Sequence, residues 1–206
     1  MVLELDPPLR GPWRALHSPT SRVPSHGTTM LALSHALDLL PVDERGRTAP
    51  IGLRALLGTE DPELFPGFGR EVLAPAWGRV VSAVDGAEDH AAHRGLSSVG
   101  YALTQRGRLR EGWAALAGNH VVLEVDGPGP ARFVALCHLR RGSVAVRPGE
   151  TVRAGAVLGR CGNSGNSTEP HVHLQVMDAP DPTLARAVPF TLPGGIPPEG
   201  GLVRGL

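Results

Sequence analysis

The sequence predicts an all-β protein, and two observations point to that fold class. The 206 residues include 27 glycines and 20 prolines, which interrupt the chain too often for long helices. Hydrophobic residues make up 41% of the total, and their interruption by so many turn residues favours an all-β domain with many turns. The length suits one well-buried domain, with or without decorations, rather than two domains.

Charge and cysteine usage exclude several classes of partner and scaffold. Lys plus Arg and Asp plus Glu both number 20, and the formal net charge of +0 indicates neither a nucleic-acid-binding face nor a polybasic membrane surface. Cys137 and Cys161 are too few for a disulfide scaffold or a cysteine-rich zinc site. We expect both to be small buried residues, with a single bridge between neighbouring strands as the alternative.

The N-terminal residues predict no secretory signal peptide, because acidic residues and prolines stand where a signal needs a basic start and an apolar core. No run of about 18 apolar residues predicts a membrane span. The residues by themselves predict neither a cellular location nor an oligomeric state.

The first elements are an N-terminal strand and a core strand. Residues 1–24 alternate short apolar pieces with prolines, which predicts an edge strand and irregular coil anchored in the core by Trp13. The alternation over 33–40 predicts a strand in which Asp38 lies between two leucines. Burying a carboxylate is costly unless it is paired or binds a cation, so Asp38 is a candidate site residue.

Two polar stretches predict insertions. The first, at about 43–71, is expected to be exposed, with a short helix at 53–57. The second, at about 87–117, is rich in Ala, Arg and Ser, and we expect it to be partly helical and near the surface. Between them, residues 72–84 predict a β-rich segment followed by a turn.

The β pattern resumes after the second insertion. Residues 120–125 and 132–139 predict two strands, paired as a hairpin around a turn at 126–130. Short strands and turns follow at 146–159. Residues 191–206 are rich in proline and glycine and predict a tail that wraps the surface.

A glycine-punctuated polar loop at 162–170 leads into a strand that begins with two histidines. Successive side chains of a strand point to opposite faces, so His171 and His173 project together while Val172 points the other way. Two imidazoles on one face form half of a metal or acid/base site. The other half must come from elsewhere in the chain.

Other histidines are interpreted as ordinary residues. His17 lies in predicted coil, and His90 and His93 lie in an insertion, where we expect surface or hydrogen-bonded roles. A metal-binding pair at i, i+3 on a helix is the alternative for the last two. Asn119 and His120 begin a strand near the expected site, and we assign them core or supporting roles rather than ligation.

Four separated motifs occur in a definite order along the chain. They are Ser25-His26-Gly27-Thr28 leading to Ala36-Leu37-Asp38-Leu39; Trp77-Gly78-Arg79-Val80-Val81; Ala135-Leu136-Cys137-His138-Leu139; and a glycine-framed run at 149–165 followed by Pro170-His171-Val172-His173. Together they resemble the lysostaphin/LytM-type zinc metallopeptidases, over roughly residues 22–189. The resemblance implies an antiparallel β-sandwich of the duplicated hybrid motif type with a groove, and a metallopeptidase domain at 25–190.

The resemblance also implies a role for each matching position. One zinc ion per chain would be held by His26, Asp38 and His173, and His138 and His171 would form the catalytic pair. Two histidines and an aspartate leave the fourth tetrahedral position open, as in catalytic zinc sites. The implied reaction is the hydrolysis of peptide bonds in peptidoglycan cross-links or stem peptides, and the implied location is the cell envelope or the outside of the cell.

The first zinc ligand departs from the family's commonest pattern, His-x-x-x-Asp. His26 lies much further from Asp38 in sequence, whereas His35 lies three positions away. On a strand that odd offset would put His35 and Asp38 on opposite faces. The Ser-His-Gly-Thr setting of His26 resembles a longer-spaced branch of the family, so we expect His26 rather than His35 to bind.

Two other functions remain open at this point. A non-catalytic zinc-binding or cell-wall-binding module of the same fold would regulate another hydrolase, and it would be recognised by the loss of a ligand or a catalytic histidine. A phosphotransferase domain of related β architecture passes phosphate between paired histidines; fold alone does not decide function. Asp38 and the Ser-His-Gly-Thr motif favour a metal over phosphotransfer.

Overall fold

The computed structural model describes residues 2–49, 58–93, 112–126 and 132–204. These residues are mostly strands and turns, as the sequence predicts, with one short α-helix, α1, at Trp113–Ala117 and 3₁₀ segments at Met30–His35 and Pro62–Leu64. The strands are β1 Leu3–Glu4, β2 Trp13–Leu16, β3 Leu37–Pro41, β4 Thr59–Glu60, β5 Glu71–Leu73, β6 Gly78–Val84, β7 Ala92–His93, β8 Asn119–Val125, β9 Arg132–Leu139, β10 Thr151–Val152, β11 Val157–Arg160, β12 Val172–Met177, β13 Phe190–Thr191 and β14 Leu202–Val203.

Eight of these strands form one sheet in the order β10-β6-β8-β9-β12-β3-β2-β14. Every pair of neighbours in it is antiparallel. The predicted hairpin is confirmed, because β8 and β9 are consecutive and pair with each other. Strands β9, β12 and β3, which carry most of the candidate residues, are adjacent at the centre of the sheet.

The N-terminal segment differs from the predicted edge strand. Strand β2 lies between β3 and β14, since the tail returns to pair Leu202 with Arg14 and Val203 with Trp13. Trp13 is buried, as predicted. The tail is therefore part of the sheet edge rather than only a surface wrap, and the predicted domain boundaries stay predictions.

The two faces of the large sheet have separate apolar clusters. On one face, Val172, Leu174 and Val176 of β12 join a core that includes residues of β5, β11 and β13, which belong to small two-stranded sheets packed against it. On the other face, Cys137 and Met177 belong to a second, smaller cluster. Side-chain alternation along β12 therefore sends His173 to this second face, opposite the main core.

The predicted strand over 33–40 is wrong in its first half. Residues Met30–His35 form a 3₁₀ segment, and the strand begins only at Leu37. Leu31 and Ala32 have positive φ values of 55° and 59°, which turn the chain sharply. A hydrogen bond from the Ser25 amide to the Ser34 carbonyl, 2.9 Å long, stabilises the turn.

The two predicted insertions contact each other. Strand β4 from the first pairs with β7 from the second, and Phe65 packs in a small buried cluster with Ala49 and Ala92. The described part of the first insertion is therefore not simply exposed. The helix predicted at 53–57, most of the second insertion and most of the turn at 126–130 lie outside the described residues.

Both cysteines are buried and free, so the alternative of a bridge is wrong. They lie in different apolar clusters, Cys161 in the main core and Cys137 on the opposite face of the sheet. In the part of the chain that the structure describes, no helix is long and apolar enough to cross a membrane.

Candidate metal and catalytic centre

Three adjacent strands and the segments that precede two of them bring the five predicted residues to one cleft. In the sheet, His173 on β12 is directly opposite Asp38 on β3 and Cys137 on β9. His26 arrives from the turn that precedes β3. All five residues line a cleft of about 420 Å³.

The Nε2 atom of His26 faces the cleft without a proton. Its Nδ1 lies 3.0 Å from the Ser25 hydroxyl, which itself donates to the Leu33 carbonyl at 3.1 Å. The hydroxyl therefore accepts from Nδ1–H, which leaves the lone pair of Nε2 directed at Asp38 Oδ1, 3.3 Å away. Burial is the main cause of a lowered pKa at His26, which favours this neutral form.

His173 presents its other nitrogen in the same way. Its Nε2 lies 2.9 Å from Oε1 of Gln175, whose amide nitrogen donates to the Leu31 carbonyl at 3.1 Å. Oε1 is thus an acceptor, and His173 donates from Nε2. The lone pair of Nδ1 then faces Asp38 Oδ1 at 2.8 Å.

Asp38 completes a set of three acceptors without a donor between them. Burial by itself raises the pKa of this carboxyl, but the surrounding imidazoles, among them the hydrogen-bond donor His17, outweigh burial and hold the pKa well below its usual range. An ionised carboxylate oxygen and two imidazole lone pairs that face one another repel unless a cation lies among them. The donor set of two imidazoles and one carboxylate is one that zinc prefers, so these residues fit the metal that the resemblance implies.

His138 reaches the cleft through a bulge in β9. Strand β8 pairs Asn119 with Leu139 and then Val121 with Leu136, so His120 alone is opposite both Cys137 and His138. His138 has a φ of 64°, which breaks the alternation of β9. Both Cys137 and His138 consequently line the cleft, although strict alternation would have sent His138 to the opposite face.

The rings of His138 and His171 lie side by side, with centroids 4.7 Å apart. His138 donates from Nδ1 to the Ser164 carbonyl at 2.9 Å, and His171 donates from Nδ1 to the Glu169 carbonyl at 2.8 Å. Each bond assigns the proton to Nδ1 and leaves Nε2 as an acceptor. Burial, followed by repulsion from His171 and His173, holds the pKa of His138 well below its usual range, so this ring is neutral at neutral pH.

Sequence reasoning missed His17, which was interpreted as ordinary coil. Its Nδ1 lies 2.7 Å from Asp38 Oδ2, and potential ligand atoms of His17, His26 and Asp38 all lie within 4.8 Å of one another. The hydrogen bond to Asp38 is the main cause of a raised pKa at His17. No sequence signal marks this residue, since it becomes a neighbour of Asp38 only through the pairing of β2 with β3.

The remaining candidate residues have supporting roles or lie elsewhere. His35 ends the 3₁₀ segment and is not among the residues that line the cleft. His90 bonds the Gly165 carbonyl through Nε2 at 2.9 Å, and His93 lies on β7 rather than on a helix. His120 bonds the Gly118 carbonyl, in keeping with the expected supporting role.

The walls of the cleft differ in character. Leucines and the indole of Trp113 form much of the lining, and Asn166, Thr168 and Glu169 add polar groups from the loop that precedes β12. The cleft therefore offers an apolar surface beside the imidazole cluster, an arrangement common in sites that bind organic ligands.

Comparison with known proteins identifies the family. The model of peptidase family M23 matches residues 63–183, more than half of the chain. The matched residues include His138, His171 and His173. His26 and Asp38 precede the matched residues, and the fold brings them to the site.

Solved structures similar to the chain include three peptidases. The catalytic domain of the prophage-encoded M23 protein EnpA from Enterococcus faecalis is 16% identical, and the match covers 76% of this chain and 75% of that chain with a TM-score of 0.42. The catalytic domain of the antimicrobial peptidase lysostaphin from Staphylococcus simulans is 20% identical, with 68% of this chain and 81% of that chain covered and a TM-score of 0.38. A zinc-containing peptidase from Vibrio cholerae is 20% identical, with 72% of this chain and 37% of that chain covered and a TM-score of 0.37. These likenesses are distant, and the assignment rests on the family model. The chain belongs to peptidase family M23.

Proposed function

We propose that the protein is a zinc-dependent endopeptidase that cleaves peptide cross-links or stem peptides of peptidoglycan. The observation that carries this proposal is the convergence of His26 Nε2, Asp38 Oδ1 and His173 Nδ1 beside two further imidazoles. A regulatory module would need neither of those further rings. Their presence in the same cleft favours the enzyme.

The three converging residues would hold the metal. A zinc ion bound there would supply Lewis-acid chemistry, lowering the pKa of a bound water to about 7 and polarising the scissile carbonyl. Asp38 stays ionised in this environment, and its carboxylate supplies the negative charge that a divalent cation requires.

His138 and His171 would move the protons. Each ring is held through Nδ1–H by a backbone carbonyl, so its orientation is set before substrate arrives. An acceptor Nε2 takes a proton from the attacking water, and the resulting N–H then donates to the leaving amide nitrogen. The second ring also presents an acceptor Nε2, which accepts a hydrogen bond from the other proton of the water and so orients the water for attack.

The substrate class follows from the motifs and from the cleft. A cleft of about 420 Å³ with an apolar wall and a polar loop suits a short peptide in extended form. The resemblance to lysostaphin/LytM-type enzymes favours peptides of peptidoglycan over other peptides.

Hydrolysis of purified muropeptides by the zinc-loaded protein tests this proposal. We expect His138→Ala and His171→Ala to lower kcat/KM about 10²–10⁴-fold while zinc stays bound, because general acid–base catalysis contributes a factor of this size. We expect His173→Ala to lose both zinc and activity. Bound zinc is measured by atomic absorption and cleavage by chromatography of the products.

His35→Ala is the matched control, because it removes an imidazole close in sequence to Asp38 but outside the cleft. It is expected to keep zinc and activity. A wild-type protein without stoichiometric zinc, or unchanged cleavage in both His138→Ala and His173→Ala, would contradict the proposal. Phosphorylation of a cleft histidine by a phosphotransferase partner would instead indicate the phosphotransferase function.

A further inference from the structure

His17 contacts the candidate metal centre from outside the five predicted residues. It follows β2 directly, and the pairing of Leu16 with Asp38 brings its ring to the carboxylate. Its Nδ1 lies 2.7 Å from Asp38 Oδ2, whereas the nitrogens of His26 and His173 face Oδ1. The two oxygens of Asp38 therefore have different partners.

The backbone of His17 is held in an uncommon conformation. Its φ is 49°, in the left-handed region that a residue with a side chain rarely adopts. Such a conformation persists where the surrounding structure imposes it, and it is concentrated at functional sites. The ring of His17 also lies against that of His26, with centroids 4.7 Å apart.

The C-terminal tail supplies the bonds that impose this turn. The Ser18 amide donates to Glu199 Oε2 at 3.0 Å, and the Ser18 hydroxyl donates to the Pro197 carbonyl at 2.6 Å. On the other side of His17, the Ala15 amide donates to the Gly201 carbonyl at 2.9 Å. These contacts hold the chain on both sides of His17.

We propose that His17 is a positioning residue for the metal centre. It donates from Nδ1 to Oδ2 of Asp38 and so directs Oδ1 alone toward the converging lone pairs of His26 and His173. Hydrogen bonds of this kind orient carboxylate ligands and strengthen metal binding. The inference rests on the zinc site of the proposed function but concerns a residue outside the family match, which begins at residue 63.

Direct ligation by His17 is the competing arrangement, since its ring nitrogen is close enough to His26 and Asp38 to share an ion with them. The geometry favours the positioning role, because Nδ1 is at hydrogen-bond distance from the carboxylate oxygen turned away from the other ligands. The side chain is also 40% exposed, unlike those of Asp38 and His173.

Two substitutions of His17 test its hydrogen bond to Asp38 without straining the backbone at this position. His17→Gly removes the side chain and adopts positive φ without strain. His17→Asn keeps an N–H donor near the position of Nδ1, and asparagine also tolerates this conformation. We expect the dissociation constant for zinc to rise about 10–100-fold in His17→Gly, and to stay closer to wild type in His17→Asn. Competition with a chromophoric chelator measures it.

Cobalt substitution tells the two arrangements apart. The visible absorption of bound Co²⁺ is expected to have the same position and intensity in wild type and His17→Gly, because the ligand set is unchanged. His35→Ala is the control and is expected to bind zinc as wild type does. Equal zinc affinity in wild type and His17→Gly, or a cobalt spectrum that reports one imidazole fewer in His17→Gly, overturns the inference while leaving the proposed function intact. A wild-type protein that binds no zinc overturns both.

Discussion

Gln175 supports the proposed metal site without being one of its proposed ligands. It lies two positions beyond His173 on β12 and is completely buried. Its Oε1 accepts from His173 Nε2, and its amide nitrogen donates to the Leu31 carbonyl. Gln175 therefore selects the tautomer in which His173 Nδ1 is free to bind a cation.

Replacing Gln175 by leucine of similar size removes the acceptor and is expected to weaken zinc binding about 10–100-fold. Gln175→Glu keeps an acceptor for His173 Nε2 and should bind zinc more tightly than the leucine variant. The dissociation constants of both variants are measured by chelator competition, with circular dichroism to verify folding. Wild-type zinc affinity in a folded Gln175→Leu protein would contradict this role.

Individual residues were predictable to different extents. His171, His173 and Gln175 share one face of a strand by simple alternation, so the signal for Gln175 was present in the sequence and was missed. His138 was assigned from its motif alone, because alternation points it away from the cleft. His17 carried no signal, because only sheet pairing makes it a neighbour of Asp38.

At the scale of elements, the β9 bulge and the loop that precedes β12 act together. The Ser164 carbonyl of that loop holds His138, and the Asn119 amide of β8 donates to the Ser164 hydroxyl at 3.0 Å. Gly165 follows with a φ of 72°. A Cβ there would lie 2.5 Å from both the Gly118 amide nitrogen and the Leu116 carbonyl oxygen, so the loop packs directly on the end of α1.

Gly165→Ala is expected to lower the melting temperature and to reduce peptide hydrolysis, because the clash displaces the carbonyl that orients His138. Gly155→Ala is the matched control: its φ is 79°, but its Cβ would meet nothing within 4 Å. The free energy of unfolding of the control should fall only by the cost of the left-handed conformation, about 1–2 kcal/mol, and its activity should be unchanged. Scanning calorimetry and the muropeptide assay compare the two variants. Equal melting temperatures with full activity in both would refute the packing argument.

Element boundaries were predicted well where pattern and turn residues agree. The hairpin of β8 and β9 followed from alternation around a turn signal. The strand over 33–40 did not, because Leu31 and Ala32 adopt positive φ without glycine, which local sequence does not reveal. The contact between the two insertions through β4 and β7 is non-local, and it also left no pattern in either segment.

At the scale of the whole molecule, the sheet order explains why the site forms. Residues from both ends of the chain meet because β12 lies between β9 and β3, and β2 and β14 extend the same sheet. The main core occupies one face and the imidazole cluster the other. Composition and alternation predicted the all-β class, whereas the arrangement of strands was implied only by the resemblance of the motifs.

In the proposed metal centre, His26, Asp38 and His173 bind one zinc ion, and His138 and His171 lie beside it. Anomalous diffraction at the zinc edge from crystals of the zinc-loaded protein shows which residues bind the ion. We predict a single strong peak within bonding distance of His26 Nε2, Asp38 Oδ1 and His173 Nδ1, and no bond to His17 or His35. A peak bound by His35 or His17 in place of His26, or no peak in this cleft, would contradict the proposed metal centre.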